Sequence, residues 1–279
     1  MTLVKTVIRA TVPREVRNWL RSPSRSIEWL WDATKFSFGV RETLHLQPDW
    51  TILCHPYARR VAFYAQVSDP EQIAEFRSFV SHCSAGACLF DIGAHFGIFS
   101  LAAVHFGGRA IAVDPSPTAA RMIGIQATLN DCANDIQVVR AAVSDVDGTL
   151  DLLSSGVFSA GYFSVARGRP SSELTPTPAM TVDEMTRRFG VPTHIKIDVE
   201  GHEAAVLRGA RATLSQFSPL LFLELHNEMV ISAGDHPCSA LNELADLRYE
   251  TFATDGDAID TRAILARPII RIVAKRRLE

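Results

Sequence analysis

The sequence predicts an α/β fold built around a mainly parallel sheet, and three observations support this prediction. From residue 87 onward, short apolar runs alternate with stretches of helical periodicity, as is typical of βα units. The first of these units places a glycine turn, Gly93 to Gly97, between its strand and its helix. The chain has 279 residues, 47% hydrophobic and 21% charged, so it can bury a large core and has a globular composition.

Residues 1–85 are predicted to form a lead-in of helices and strands that flanks the main fold. Residues 13–38 have helical character, with a break near position 23. Residues 44–67 alternate apolar and polar positions, which predicts strands. Asp69 is placed to cap a helix that continues through Val80, because an acidic N-cap followed by proline is a typical helix start.

Residues 86–279 are predicted to form the main domain. Strands are expected at Ala87–Ile92, Ala110–Val113, Ile136–Arg140, His194–Ile197, Leu220–Leu225, Tyr249–Ala253 and Ile269–Ala274. Helices are expected at Phe96–Phe106, Thr118–Leu129, Thr181–Phe189, His202–Leu214 and Ser239–Leu247. The stretch 144–180 is rich in Gly, Ser and Pro and is expected to be irregular.

The net charge of −3 conceals basic ends around an acidic middle. Residues 1–41 have a net charge of +5 and residues 267–279 of +4, so residues 42–266 have −12. An acidic body argues against nucleic acid as a partner. The first segment also contains Trp19, Trp29 and Trp31. It is therefore either solvated surface or a peripheral contact, through residues 1–41, with an anionic membrane or a partner protein.

The cysteines and the hydropathy favour a cytoplasmic protein. The chain has five scattered cysteines without a CxxC pair: Cys54, Cys83, Cys88, Cys132 and Cys238. This argues against a disulfide framework and a structural zinc site. No apolar run is long enough to cross a membrane, and the first residues lack the pattern of a signal peptide. The oligomeric state is left open.

The first βα turn points to a nucleotide-type ligand. Asp91 ends the strand, Gly93 offers a backbone without a Cβ against which a ligand can pack, and Gly97 allows the helix to approach the strand. A dinucleotide site requires GxGxxG to hold a pyrophosphate, whereas His95 and Phe96 fill that gap here. The turn therefore suits a ligand without phosphates, such as S-adenosylmethionine (SAM), whose amino group Asp91 could meet. A purely structural turn is the alternative.

Two later strand ends could complete an adenosine site. Asp114 ends the second strand, where an acidic residue can accept hydrogen bonds from ribose hydroxyls. This fits both SAM and NAD, and an ordinary loop aspartate is the alternative. After the third strand, small residues leave room for an adenine ring, and Ser144 or Asp145 could bind its amino group.

Polar side chains also follow the fourth and fifth strands. Asp198, Glu200, Glu224 and His226 are expected to converge on one crevice, because ligands bind at the carboxyl ends of parallel strands. Lys196 is expected to pair with a carboxylate. Glu203 is better explained by its place at a helix N-terminus than by catalysis.

Together these segments resemble the FkbM family of SAM-dependent methyltransferases over roughly residues 86–230. The matching segments are Asp91–Gly97, Asp114–Pro117, Ala142–Asp145, Thr181–Glu184, Lys196–Glu203, Val206–Ala210 and Leu223–His226. His95 stands where the family usually has Asn, and Asp114 where it usually has Glu.

The resemblance implies a class I methyltransferase fold, with a seven-stranded sheet, helices on both faces and an antiparallel last strand. It implies SAM as cofactor, and methylation of a hydroxyl on a sugar, glycolipid or natural product. The cofactor-binding residues it implies are Asp91, Gly93, Ala94, His95, Gly97, Asp114, Ser116, Ser144, Asp145 and Asp198.

The mechanism leaves alternatives open. An alcohol acceptor must lose its proton, and His226, the pair Asp198 and Glu200, and the neighbouring Glu224 are the candidate catalytic residues. No metal is assigned, although the carboxylates could instead hold a divalent cation that polarises the hydroxyl. The loop 154–180, with its aromatic residues, could cover the acceptor. A SAM-binding protein without catalysis and an NAD-dependent oxidoreductase are the competing functions.

Overall fold

A computed structural model describes residues 23–154, 163–165 and 174–277 of the chain. Predictions about residues 1–22, and about Phe158, Gly161, Tyr162 and Pro170 of the loop, lie outside the described residues. The main sheet has seven strands: β3 (Cys88–Ile92), β4 (Arg109–Val113), β5 (Ile136–Val139), β10 (His194–Ile197), β11 (Leu220–Leu225), β12 (Tyr249–Ala253) and β13 (Ile270–Arg276).

The strand order confirms the predicted fold class. The order is β12-β13-β11-β10-β3-β4-β5, and β13 runs antiparallel to both of its neighbours while the central strands are parallel. This is the seven-stranded class I methyltransferase sheet. The chain reverses its strand order next to β3, so the carboxyl ends of β3 and β10 flank a crevice of the kind that holds ligands in doubly wound folds.

The helices of the main domain cover both faces of this sheet. They are α5 (Ile98–His105), α6 (Pro117–Leu129), α7 (Val182–Phe189), α8 (Glu203–Arg208), α9 (Arg211–Phe217), α10 (Asn227–Ser232), α11 (Ser239–Asp246) and α12 (Thr261–Leu265). The single helix expected over residues 202–214 is two helices, since the chain bends at Gly209 and Ala210. Two short helices, α10 and α12, were not predicted, because neither spans enough residues to show a helical period.

The described residues of the stretch 144–180 lie mostly in strands, which corrects the prediction of an irregular stretch for those residues. With β6 (Ala142–Val143), the strands β7 (Gly148–Ser154), β8 (Phe163–Val165) and β9 (Leu174–Met180) form a four-stranded sheet. Strand β9 was not predicted because prolines are rare inside strands. Pro176 and Pro178 nevertheless pair with Asp151 and Thr149 of β7 in a continuous register.

The lead-in consists of α1 (Pro23–Ser37), β1 (Glu42–Gln47), β2 (Trp50–Cys54), α2 (Pro56–Val61), α3 (Ala65–Ser68) and α4 (Pro70–His82). The strands predicted for residues 44–67 are correct for the hairpin of β1 and β2 but wrong for α2 and α3. Pro56 starts α2, with His55 as its N-cap. These helix-start residues favour a helix over the strand that the alternating apolar pattern predicted. Asp69 caps α4 as predicted, accepting from the amides of Glu71 and Gln72.

The lead-in shares a core with one face of the main sheet. Along β11, Phe222 belongs to the cluster that also contains Phe79 of α4, whereas Leu221 and Leu223 belong to the cluster on the opposite face. Phe79 and Phe222 meet edge to face, with ring centroids 5.1 Å apart. This packing places α4 beside the carboxyl end of the sheet.

Candidate active site

A cavity of about 320 Å³ opens at the carboxyl ends of the central strands. That volume is typical of a small-molecule site. Its walls come from the turn after β3 with the start of α5, from the ends of β4, β10 and β11, and from the segment that runs from α2 to α4. Strands β6, β7 and β13 also contribute lining residues. Polar lining residues are Gln66, Gln72, Glu75, Asp91, His95, Asp114, Lys196, Asp198, Glu200, His202, Glu224 and Arg271.

Gly93 lines the cavity, but its lack of a Cβ serves the packing of two strand ends. Its φ is +77°, and a Cβ there would overlap the carbonyl oxygen of Asp198. The Asp198 amide donates to the carbonyl of Ile92 at 3.0 Å, so the chain after β10 crosses directly against this turn. The missing Cβ of Gly93 therefore makes room for the Asp198 carbonyl, and the predicted contact of Gly93 with a ligand stays a prediction.

Gly97 is not among the described residues that line the cavity, and the structure gives it a packing role. It takes a left-handed conformation at the N-cap of α5, and a Cβ there would press on Ile123 of α6 at 3.3 Å. Its predicted place between β3 and α5 is right, but the close neighbour is the next helix.

Asp91 and Asp114 face the cavity as buried carboxylates. Burial raises the pKa of Asp91 to about 6, although the hydroxyl and amide of Ser100 both donate to its Oδ2. Burial also raises the pKa of Asp114 to about 7, against hydrogen bonds from the amides of Ser116 and His95. A cation entering the cavity would restore the charged form of both groups, and SAM carries cations on its amino group and sulfur. The residues present therefore fit SAM.

His95 lies between these two carboxylates, in an uncommon backbone conformation. Its φ is +51°, in the left-handed region that Asn adopts more readily than other side chains. This explains why Asn is usual here in the resembling family. His95 keeps its place through its amide, which donates to Asp114 at 2.9 Å, and through its ring, which stacks on Phe96. Ala94 lines the cavity beside it.

Three predicted cofactor residues have hydrogen-bond or ion-pair partners within the protein. Ser116 caps α6, accepting from the amide of Ala119. The Ser144 hydroxyl lies 2.8 Å from Nε2 of His202, and Asp145 forms an ion pair with Arg208 at 2.8 Å. Neither Ser144 nor Asp145 is among the described residues that line the cavity, although His202, the partner of Ser144, is. Their contact with an adenine ring stays a prediction.

The predicted acidic cluster is present. Asp198, Glu200 and Glu224 all line the cavity, so the strand ends converge as expected. Burial raises the pKa of Glu200 to about 7, and burial with the nearby Asp198 raises that of Glu224 to about 7. Glu200 also has a positive φ of 54°, which is unusual for a non-glycine residue and is a kind of strain found at functional sites.

His226 lies behind these carboxylates. It is 3% exposed and lines a second, smaller cavity of about 80 Å³, and it is not among the described residues that line the large one. Its Nδ1 is 2.9 Å from Oε1 of Glu203, and its Nε2 is 3.4 Å from Glu200 and 3.7 Å from Glu224. Glu203 also accepts a hydrogen bond from the Gly201 amide at the start of α8. Its contact with His226 was not predicted from the sequence.

Burial would lower the pKa of His226, but its hydrogen bond to Glu203 and the nearby carboxylates raise it to about 9. The imidazole is thus mainly protonated at neutral pH. A protonated imidazole cannot accept the proton of an acceptor, so of the predicted bases the arrangement favours the carboxylates, and the role of His226 stays a prediction.

The lead-in and the last strand supply charged residues that sequence reasoning missed. Glu75 on α4 lies 3.0 Å from the Lys196 ammonium and 3.0 Å from the Arg271 guanidinium. Arg271 also binds Glu224 at 2.7 Å, and Lys196 lies 3.7 Å from Asp198. Lys196 pairs with carboxylates as expected. No local motif marks Glu75, because its partners lie more than a hundred residues away in the sequence.

Asp198, Glu224 and His226 present ligand atoms within 4.8 Å of one another, a spacing that would suit a divalent cation. Each of these groups already has a charged partner: Lys196 beside Asp198, Arg271 on Glu224 and Glu203 on His226. Because Lys196 and Arg271 supply the positive charge that a metal ion would bring, the geometry favours an ion-pair network over a metal site.

Comparison with known proteins identifies related sequences and folds. The model of the Methyltransferase FkbM domain matches residues 91–249. A search of curated proteins gives no significant match. Among solved structures, FkbM methyltransferase from Methylobacillus flagellatus KT is 16% identical, with a TM-score of 0.45 over 69% of this chain. The match spans 44% of that structure's length.

Two further structures resemble the chain at lower identity. TYW2 from M. jannaschii in complex with AdoMet is 10% identical, with a TM-score of 0.45 over 84% of each chain. A TehB-like SAM-dependent methyltransferase from Corynebacterium glutamicum is 12% identical, with a TM-score of 0.42 over 80% of this chain and 96% of that one.

Proposed function

Because the chain belongs to the FkbM methyltransferase family, we propose that it transfers the methyl group of its cofactor SAM to a hydroxyl of a small-molecule, glycan-linked or lipid-linked acceptor. One observation carries the choice of a hydroxyl: Asp198, Glu200 and Glu224 line the same cavity as Asp91 and Asp114. Such acceptors include sugars, glycolipids and natural products. The first pair of carboxylates suits the cationic cofactor, and the cluster offers a base for the acceptor.

The chain's main contribution is alignment, because methyl transfer is a displacement at carbon. SAM supplies a methyl group on a positively charged sulfur, which is a good leaving group. The acceptor oxygen would bond to the methyl carbon while the carbon–sulfur bond breaks, and the electron pair of the broken bond would stay on sulfur. Asp91 and Asp114 would hold the amino and ribose ends of the cofactor from the floor of the cavity.

Glu200 is the base in this proposal. It lines the cavity, its side chain is 22% exposed, and burial places its pKa at about 7. A base with a pKa near the working pH is in part deprotonated and still accepts a proton readily. The hydroxyl proton would pass to the Glu200 carboxylate while the new oxygen–carbon bond forms.

His226 and Glu203 position that base. Glu203 is 1% exposed and fixes the imidazole through Nδ1, which leaves Nε2 directed at Glu200. The charge on His226 favours the carboxylate form of Glu200 and lowers its pKa. His226 thus acts through Glu200 without touching the acceptor.

The acceptor side of the cavity is polar and contains few unpaired charges. Gln66 donates to Gln72 at 2.9 Å, and both line the wall beside Glu75. Lys196 and Arg271, the cations that line the cavity among the described residues, are both engaged by carboxylates. A neutral acceptor with several hydroxyls fits this wall, since a large apolar group would leave the amides and carboxylates without partners.

The cysteines support the proposal of a cytoplasmic setting, because all five are free thiols. None of the described helices combines the length and the apolarity that a membrane crossing requires.

The test is calorimetric titration with SAM, S-adenosylhomocysteine and NAD in parallel, followed by transfer of labelled methyl to a panel of hydroxylated glycans, lipids and natural products. We expect micromolar binding of the first two ligands, no binding of NAD, and label on oxygen. Binding of NAD alone would indicate an oxidoreductase. Binding of SAM without transfer to any member of the panel would support a non-catalytic SAM-binding protein.

A further inference from the structure

The outward face of α1 is apolar although it faces solvent in the described part of the chain. Ile27, Leu30 and Trp31 are 60, 46 and 63% exposed, and Phe38 just beyond the helix is 83% exposed. Leu30 and Trp31 lie three and four residues after Ile27, and Phe38 follows Trp31 by seven, so the four positions lie on one side of the helix and its end. Four large apolar side chains in one row are an exposed patch of the kind that marks an interaction surface.

The opposite face of α1 carries the helix's buried charge. Asp32 is 3% exposed and binds Arg60 of α2 at 2.7 Å, while Glu28 binds the same guanidinium at 2.9 Å. Trp29 packs against the first core cluster. A surface helix normally turns its apolar face inward. Ion pairs with Arg60 fix α1 in the reverse orientation, so the apolar row is held outward.

Cations surround this row. The Lys35 ammonium lies 5.7 Å from the centre of the Trp31 ring, and Arg41 is exposed just past the helix. The sequence of residues 1–22 adds five basic residues and one acidic residue. Apolar side chains with a tryptophan among basic residues match the boundary of an anionic bilayer, where acyl chains lie below negative headgroups. A protein partner would have to provide both features together.

The cavity lies close to this face. Arg60, which anchors α1, precedes Val61, and Val61 lines the cavity wall together with Ala62 and Phe63. The thickness of one helix, about 10 Å, separates Arg60 from the outward row. A surface that touched the row would therefore lie near one wall of the cavity.

We propose that the outward face of α1, defined by Ile27, Leu30, Trp31 and Phe38, docks peripherally on an anionic lipid bilayer. The apolar side chains enter the headgroup boundary, and Lys35 and Arg41 meet lipid phosphates. This proposal does not depend on methyl transfer. If the proposed function also holds, docking brings the cavity to acceptors held in a membrane.

The test is flotation of the full chain with vesicles of phosphatidylcholine, with and without phosphatidylglycerol. We expect binding to the anionic vesicles, weaker binding to the neutral ones, and loss of binding as salt is raised. Ile27→Glu should weaken partitioning by about tenfold or more. The substitution replaces an apolar side chain that would be buried in the bilayer with a charge of the same sign as the lipid. Ile231→Glu is the matched control, since Ile231 on α10 is also 60% exposed.

Both variants should keep the circular dichroism spectrum and SAM affinity of the parent chain. Equal loss of binding in both variants, equal binding to neutral and anionic vesicles, or no binding to either would overturn the proposal. So would a dimer, detected by light scattering, that Ile27→Glu dissociates and Ile231→Glu leaves intact, because a second copy would then cover the row.

Discussion

The ammonium of Lys196 lies 3.0 Å from the Glu75 carboxylate, joining the central strand β10 to helix α4 of the lead-in. Both side chains are almost fully buried, at 2 and 4% exposure. Burial would lower the pKa of Lys196, but Glu75, Asp198 and Glu224 raise it above its ordinary value. The lysine is therefore charged inside the protein, and a residue outside the matched family domain supplies its closest counter-charge.

Glu75→Gln should destabilise the fold strongly. The variant leaves the buried Lys196 with Asp198, at 3.7 Å, as its remaining ion-pair partner, and it also removes one ion-pair partner of Arg271. Breaking a buried pair on one side costs about 3–5 kcal/mol. Urea unfolding monitored by circular dichroism measures the change.

Glu71→Gln is the control for that measurement. Glu71 lies one turn earlier on α4, is 52% exposed, and pairs with Arg267 and Arg271 at the surface. Its removal should change the free energy of unfolding by less than about 1 kcal/mol. Equal losses in the two variants would show that the buried pair contributes no more than a surface pair.

Asp114→Asn should weaken SAM binding by about 10–100-fold, because a charge-assisted hydrogen bond contributes ~1.5–3 kcal/mol. Asp91→Asn should act similarly through the cationic end of the cofactor. Asp145→Asn is the matched control: its carboxylate pairs with Arg208, and its affinity should stay within about twofold. Calorimetry compares the three variants, and a loss in Asp145→Asn as large as in Asp114→Asn would indicate that Asp145 contacts the adenine ring of the cofactor.

The sequence predicted several strands of the main sheet well because each has apolar or β-favouring residues bounded by turn residues. His194–Ile197, Leu220–Leu225 and Tyr249–Ala253 have the observed bounds. The strand ends also placed Asp198, Glu200 and Glu224 together, since parallel strands share one carboxyl edge. The FkbM relationship is confirmed by the match over residues 91–249.

The missed features are those that depend on long-range packing. Glu75 and Arg271 are 196 positions apart, and no local pattern shows that they meet. Ser144 and Asp145 follow the expected strand, but their side chains bind His202 and Arg208 and are not among the described residues that line the cavity. Strand order gives the edge of the sheet at which a residue lies, whereas the direction of its side chain depends on the neighbouring helix.

The rate of methyl transfer should rise with pH through about 7. Glu200 must be deprotonated to accept the hydroxyl proton, and its pKa is about 7 because it is buried. The neutral acid therefore dominates below pH 7 and the active carboxylate above it. Glu200→Gln should lower kcat by about 10²–10⁴-fold and remove this limb of the pH profile. A parent chain whose rate is flat between about pH 6 and 8 would exclude this base.

His226→Gln should move the same limb to higher pH. The imidazolium lies 3.4 Å from Glu200 and lowers the pKa of Glu200, so removing the cation makes Glu200 harder to deprotonate. If His226 were the direct base, the limb would report the deprotonation of His226, so His226→Gln would lower kcat and remove the limb instead of moving it. Full pH profiles of kcat and of kcat/KM distinguish these roles.

Removal of divalent metal should leave SAM binding and methyl transfer unchanged. Lys196 and Arg271 already neutralise the carboxylates that would act as ligands, so a cation such as Mg²⁺ would have to displace an existing ion pair. The measurement is activity after EDTA treatment, with and without added Mg²⁺. Activity that is lost with EDTA and restored by Mg²⁺ would assign the cluster to a metal centre instead.

Gly93→Ala should prevent the site from forming, whereas Gly124→Ala should stabilise the fold. A Cβ at residue 93 would overlap the Asp198 carbonyl at a φ of +77°, so the turn after β3 or the end of β10 must move and carry Asp198 away from the cavity. Gly124 lies inside α6 with open space around its Cα, and alanine there should add about 0.5–1 kcal/mol to the free energy of unfolding. Thermal unfolding and SAM titration of both variants check this. Full SAM affinity in Gly93→Ala would mean that the chain can shift at Asp198 without disturbing the cofactor site, and the close crossing of the two strand ends would then be a matter of packing alone.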